Sequence, residues 1–150
     1  MIINKIDNSY IIKLLNKQIN VYNPIVLEDI TKKIIKRINT SNKLKNNIHL
    51  TFYLDNNYGT IIKLQDYKSS YTLNNEKTVK ITIHTDSNFL YELDYFDIKK
   101  FTSQKIYYYK NKFYLRINKS LNTKDYYKLL ELSEIIYEDT ESILDKAIKI

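Results

Sequence analysis

The chain has 150 residues, with 24 Lys and Arg against 17 Asp and Glu for a net charge of +7, and only one Gly, one Pro and no Cys. A domain of this size buries roughly 68–70 % of its unfolded surface, and a 43 % hydrophobic content supplies the side chains for a core and argues against disorder. The lack of Cys excludes disulfides and thiolate metal sites, and one Gly excludes glycine-rich phosphate loops and dinucleotide fingerprints. No stretch approaches the ~18 consecutive apolar residues of a membrane span. The opening MIINKIDNSYIIKLL has no basic region followed by an uninterrupted apolar run. A soluble, cytoplasmic protein is therefore expected. The joint abundance of Asn, Ile, Lys and Tyr matches the bias of an AT-rich genome, and with Gly and Pro so scarce, Asn must supply the turns and helix caps.

Ile2–Ile6 and Tyr10–Leu15 alternate around Asp7-Asn8-Ser9, which predicts a hairpin. Asn23-Pro24 is a helix start, with Asn as N-cap and Pro at the first helical position, where its missing N–H costs nothing. Leu27, Ile30, Ile34 and Ile38 recur at helical spacing, widened by Ile35, so about four turns of helix lay one apolar face on a sheet. The helix ends in the polar run 39–47. Ile48–Leu54 alternates with Ile48, Leu50, Phe52 and Leu54 on one face, and Thr60–Leu64 returns. A two-residue loop at Asn56-Asn57 sets Lys63 opposite Leu50 on the buried side. Shifting by one sets Leu64 opposite Leu50 and Ile62 opposite Phe52, which requires a longer loop or a bulge with Gly59 at positive φ.

Residues 67–77 are polar and aperiodic, and mark a boundary between parts 1–67 and 76–150, as two small domains or one continuous one. Thr78–His84 is a strand with Val79, Ile81 and Ile83 inside, and Phe89–Tyr95 is another. KIYYYKNKFYLRI, residues 105–117, is a hairpin closing at Lys110-Asn111, with Tyr108 opposite Phe113 and Ile106 opposite Leu115. Side chains alternate across a strand. One face carries Ile106, Tyr108, Phe113, Leu115 and Ile117 and is expected in the core. The other carries Lys105, Tyr107, Tyr109, Lys112, Tyr114 and Arg116 and is the candidate binding surface. Asn122 or Thr123 caps a last helix through about Tyr137, with Thr140 restarting or continuing it to about Ile148, and no strand is evident after it. The order ββαββ then ββββα, with two main helices, predicts an α+β fold on antiparallel sheet.

Charge is uneven. Residues 1–75 hold 11 basic and 5 acidic groups, net +6, whereas 76–150 hold 13 and 12, net +1. Lys32, Lys33, Lys36 and Arg37, with Lys43 and Lys45 beyond, form a basic run opposite the apolar helix stripe, an alternative patch for nucleic acid or an acidic partner. His49 and His84 fall on outward strand positions and meet as metal ligands, with Asp86 as a third, only if their strands are neighbours; no metal or cofactor is expected. Glu92 and Asp94 lie two apart on one strand face, an arrangement that suits acid–base work but more commonly pairs with cations such as Lys105 or Arg116 on the next strand. No Ser sits in a nucleophile elbow, so nothing nominates an enzyme. Aromatics among cations suit either a protein interface or stacking of single-stranded nucleic acid such as RNA.

The run IYYYKNKFYLRINKSLNTKDYYKLLELSEI, residues 106–135, resembles part of the C-terminal domain of MecA-type adaptor proteins, where two aromatic strands joined by a short Asn-containing turn lead into an amphipathic helix. The ββαββ order of the first 65 residues is similar to that family's N-terminal domain, with IHLTFYLDNNYGTIIKLQ in the place of its last hairpin. The chain departs from the pattern in lacking a long acidic linker and in its basic charge. The resemblance implies a non-enzymatic adaptor in which one domain recognises a client and the other docks on a Clp-type unfoldase. The expectation is thus a protein–protein interaction module, adaptor- or regulator-like, with nucleic-acid binding as the alternative.

Overall fold

The computed structural model describes residues 2–7, 9–15, 17–41, 47–67 and 79–150. Asn8 of the first turn, Lys43 and Lys45, and most of the boundary expected at 67–77 lie outside the described residues. The chain divides into two compact units, Met1–Asp86 and Ser87–Ile150, each with its own five-stranded sheet. The class is α+β, as expected.

In the first unit the elements are β1 (Ile2–Ile6), β2 (Ser9–Leu15), α1 (Pro24–Ser41), β3 (Asn47–Asp55), β4 (Gly59–Tyr67) and β5 (Val79–His84). Asn23 caps α1, its side-chain oxygen accepting from the Ile25 and Val26 N–H groups at 3.0 and 3.4 Å. Ile30, Ile34 and Ile38 are buried against Tyr10, Ile12, Leu14, Ile48, Leu50, Phe52, Ile62 and Leu64 of the sheet, and Leu27 and Ile35 flank them. The β3–β4 register is the shifted one, with Leu50 opposite Leu64 and Phe52 opposite Ile62. Residues 56–58 make the longer loop, and Gly59 takes φ 126°. The Asp55 carboxylate holds the turn by accepting from the Asn57 and Tyr58 N–H groups, both at 2.9 Å.

The sheet order is β1-β2-β4-β3-β5, and β5 corrects the expected boundary. It does not open the second half but pairs in parallel with β3, placing Ile81 opposite Leu50 and Ile83 opposite Phe52, so the division falls after Asp86. The pairing satisfies the open edge of β3 and extends its apolar row. As the outermost strand, however, β5 leaves Val79 and Ile81 exposed rather than inside.

The second unit contains β6 (Leu90–Leu93), α2 (Tyr95–Ile98) running into a 3-10 turn (Lys99–Phe101), β7 (Lys105–Tyr109), β8 (Lys112–Arg116), α3 (Thr123–Leu132), β9 (Glu134–Ile136), α4 (Thr140–Lys146) and β10 (Ile148–Lys149). Its antiparallel sheet runs β10-β7-β8-β6-β9. Three expectations are corrected here. The strand expected to Tyr95 stops at Leu93, because the Asp94 carbonyl accepts from Asp97 and Ile98 N–H and starts a helical turn. The helix expected to Tyr137 ends at Leu132, where Ser133 turns extended (φ −109°, ψ 159°), and Ile135 and Ile136 instead pair with Tyr91 and Leu90 along the open edge of β6. A strand also follows the last helix, with Ile148 opposite Tyr108. Phe89, Leu90, Tyr91, Leu93, Ile98, Phe101, Tyr114, Leu115, Tyr126 and Leu129 are the buried apolar residues of this unit, and Tyr91 with Leu115 and Leu90 with Tyr114 fall on opposite faces of the sheet.

Gln104, buried ahead of β7, clamps the segment leaving β8. Its side-chain oxygen accepts from Asn118 and Lys119 N–H at 2.7 and 2.9 Å, and its amide donates to the Lys119 carbonyl at 2.9 Å. Gln104→Ala strands these backbone groups and is expected to lower the urea-unfolding free energy by about 2–3 kcal/mol. Lys119→Ala, which keeps the backbone partners, is expected to stay within about 0.5 kcal/mol of wild type.

Candidate functional site

The 105–117 hairpin has the register read from its sequence, Lys105 opposite Arg116 through Tyr109 opposite Lys112. The division of its two faces into core and surface does not follow that reading. Of the set expected to bind, Tyr114 is buried at 6 % exposure, Tyr107, Tyr109, Lys105 and Arg116 are half-buried, and only Lys112 is exposed. Tyr114 is covered because β6 pairs alongside β8 and puts Glu92 opposite it, with fully buried Leu90 on the same side. Burial, and then the neighbouring Glu92 carboxylate, push the Tyr114 phenol above its usual pKa.

The cations of this face are largely committed. Lys112 Nζ lies 3.1 Å from Glu92 Oε1, and the hydrogen bond, followed by the charge of that carboxylate, holds the Lys112 pKa above its usual value. Glu92 thus pairs with Lys112 rather than with Lys105 or Arg116. Arg116 donates to Asn88 Oδ1 at 3.0 Å, and Lys110 sits 5.2 Å over the Tyr109 ring. Asp94 is not a strand partner at all but begins α2.

The face expected to be core is the more open one. Leu115 is fully buried, but Ile106, Tyr108, Phe113 and Ile117 are only half-buried. Above them α2 extends the aromatic row. The Phe113 ring is 5.1 Å from Tyr108 and 5.8 Å from Tyr95, and Tyr95 is 5.9 Å from Phe96. Tyr95 is 54 % and Phe96 79 % exposed. Lys99 lies over both rings, 4.3 Å from Tyr95 and 5.9 Å from Phe96. At the other end of the row, exposed Ile148 faces Tyr108 across β10–β7, and exposed Ile150 follows, its N–H donating to the Ile106 carbonyl at 3.0 Å. The result is an apolar strip from Phe96 through Tyr95, Phe113 and Tyr108 to Ile148. The alternation of Phe89–Tyr95 places Tyr95 on a strand and leaves Phe96 unassigned, whereas both are exposed residues of α2. The signal that locates them is Asp94 followed three residues later by Asp97, a helix-start spacing.

The alternative basic patch is real in position and weakened in charge. Lys32, Lys33, Lys36 and Arg37 are exposed on α1, but Lys32 pairs with Glu28 at 2.8 Å and Lys33 with Asp29 at 3.0 Å, one turn back on the same helix. The two histidines stand on neighbouring strands without meeting. His49 lies opposite Lys80 and His84 opposite Tyr53; His49 Nε2 is 2.8 Å from Thr82 Oγ1, and His84 stacks on Tyr53 at 5.0 Å. Among the described residues no group of three or more His, Asp or Glu is placed to hold a metal ion, and no helix is long and apolar enough to cross a membrane.

Comparison with protein-family models, curated protein sequences and solved structures finds no match to this chain.

Desolvation, and next the charge of Lys80, lower the His49 pKa below its ordinary 6.5. The folded state therefore binds a proton less readily than the unfolded chain. Its contribution to stability is complete above pH 6.5 and is lost as pH falls through the folded-state value. Urea midpoints measured against pH should fall below that point in the wild type, and less steeply in His49→Gln.

Proposed function

We propose that this chain is a non-enzymatic protein-binding module of adaptor or regulator type, working in the cytoplasm without a cofactor. The observation that carries the reading is the exposed strip built on Tyr95 and Phe96, two adjacent rings at 54 % and 79 % exposure tied into a continuous row of aromatics. Contiguous exposed apolar surface on a folded chain marks interaction sites, and aromatic side chains anchor protein interfaces. Covering the two rings removes roughly 250 Å² from water, which at about 25 cal/mol per Å² supplies on the order of 6 kcal/mol toward association. Lys99, already over both rings, gives the strip a cationic rim. The likeness of residues 106–135 to the C-terminal domain of MecA-type adaptors supports the same class of activity.

Nucleic-acid binding fits less well, because a phosphate-binding surface needs open cations, and Lys32, Lys33 and Lys112 each have a carboxylate at 2.8–3.1 Å. The test is a photo-crosslinking amino acid placed at Phe96 and irradiated in the native host. A discrete protein adduct is expected, and Tyr95→Ser should reduce it by about tenfold or more without changing the melting temperature. Fluorescence anisotropy with single-stranded RNA at low salt is expected to give the same curve for the wild type and Tyr95→Ser, since the strip takes no part in any RNA binding. An adduct with RNA, or none that depends on Tyr95, contradicts the proposal.

A further inference from the structure

The first unit holds a cleft of about 510 Å³ between the segment after β2, the turn after β3 and the residues after β5. Because β4 is antiparallel to both β2 and β3, and β5 is parallel to β3, these three strands run the same way. The cleft therefore lies at the shared carboxyl end of these three strands, and its volume falls in the range of small-molecule sites. Ile19 and Leu54, both buried, supply an apolar floor.

The polar lining is partly organised by the protein itself. The Gln18 amide donates to the Asp55 carbonyl at 3.1 Å and to Asn56 Oδ1 at 3.2 Å, which leaves its own Oε1 as an acceptor. Asn20 Oδ1 accepts from the Tyr22 N–H at 3.2 Å. The amide N–H₂ groups of Asn20 and Asn56 are thereby left as donors. Among the described residues these groups, the Tyr22 and Thr85 hydroxyls and the Asp86 carboxylate have no protein partner. Tyr22 offers a flat ring at 85 % exposure. Although the chain carries a net +7, among the described residues no Lys or Arg lines the cleft.

We infer that this cleft binds a nucleobase carried on ribose. Side-chain amides fit the mixed donor and acceptor edge of a base, an exposed aromatic ring stacks on its face, and a carboxylate accepts from ribose hydroxyls. With no cation among the described lining residues, a phosphate is expected to add nothing to binding in the cleft. The base comes either from a free nucleoside or from a nucleotide of single-stranded RNA. This site is in the first unit and is independent of the Tyr95–Phe96 strip, so either proposal can fail alone.

The experiment titrates the whole chain with each of the four ribonucleosides, their 5′-triphosphates and a mixed-sequence RNA hexamer, following backbone amide NMR shifts to about 1 mM ligand. Saturating shifts at residues 18–22, 54–56 and 85–86 are expected with at least one nucleoside. The matching triphosphate should bind no more tightly, and Tyr22→Ala and Asp86→Asn, both at exposed positions, should each weaken binding by about tenfold. A hexamer binding about tenfold or more tighter through the same residues assigns the base to RNA, and equal or weaker hexamer binding assigns it to free nucleoside. The inference is overturned if no nucleoside or hexamer gives saturable shifts at these residues, if binding survives both substitutions, or if the triphosphate alone binds.

Discussion

Lys110 and Asn111 both take positive φ, 47° and 61°, which makes the β7–β8 connection a two-residue type I′ turn whose twist matches the strands it joins. A Lys in this region costs about 1–2 kcal/mol, and local contacts offset part of it: Lys110 lies over the Tyr109 ring, and Asn111 Oδ1 accepts from the Tyr108 hydroxyl at 2.8 Å. The turn permits one register. In that register Tyr114 and Leu115 stand side by side on opposite faces of β8 and are both buried, while Phe113 reaches the rim where α2 meets it. A slip of one residue would exchange every side chain of the hairpin between faces, so the candidate surface depends on these two backbone conformations.

What the sequence conveys and what it withholds follow from the range of the interactions involved. The Asn23 cap, the apolar stripe of α1, the Leu50–Leu64 register and the Lys110-Asn111 turn all rest on side chains close in sequence or on the parity of a strand, and each is readable from residue order. Which face of the β7–β8 hairpin is covered is decided by segments distant in sequence. β6 brings Leu90 and Glu92 beside Tyr114, α2 places Tyr95 over Phe113, and β10 sets Ile148 beside Tyr108. The parallel pairing of β5 with β3 is likewise non-local, and no residue in Val79–His84 distinguishes it from an antiparallel strand of the next unit. At Ile135-Ile136 the helical period of α3 continues in the sequence through a segment that the free edge of β6 recruits as strand.

The two units differ in what they offer. In the first, +6 of charge over residues 1–75 is tempered along α1 by pairs within the helix, and its cleft is lined by amides, hydroxyls and one carboxylate. In the second, charge is nearly balanced, and the distinctive feature is uncovered aromatic area. The second unit spends Tyr114 on its interior and leaves Phe96 in water on the α2 side of its sheet.

The most direct check of this account is photo-CIDNP NMR, which polarises tyrosine rings that a dye can reach. Tyr22, Tyr95 and Tyr127, at 85, 54 and 50 % exposure, should give strong signals, while Tyr91 and Tyr114, at 1 and 6 %, stay dark. A bright Tyr114 with a silent Tyr95 would contradict the assignment of the two faces, and with it the proposed binding surface.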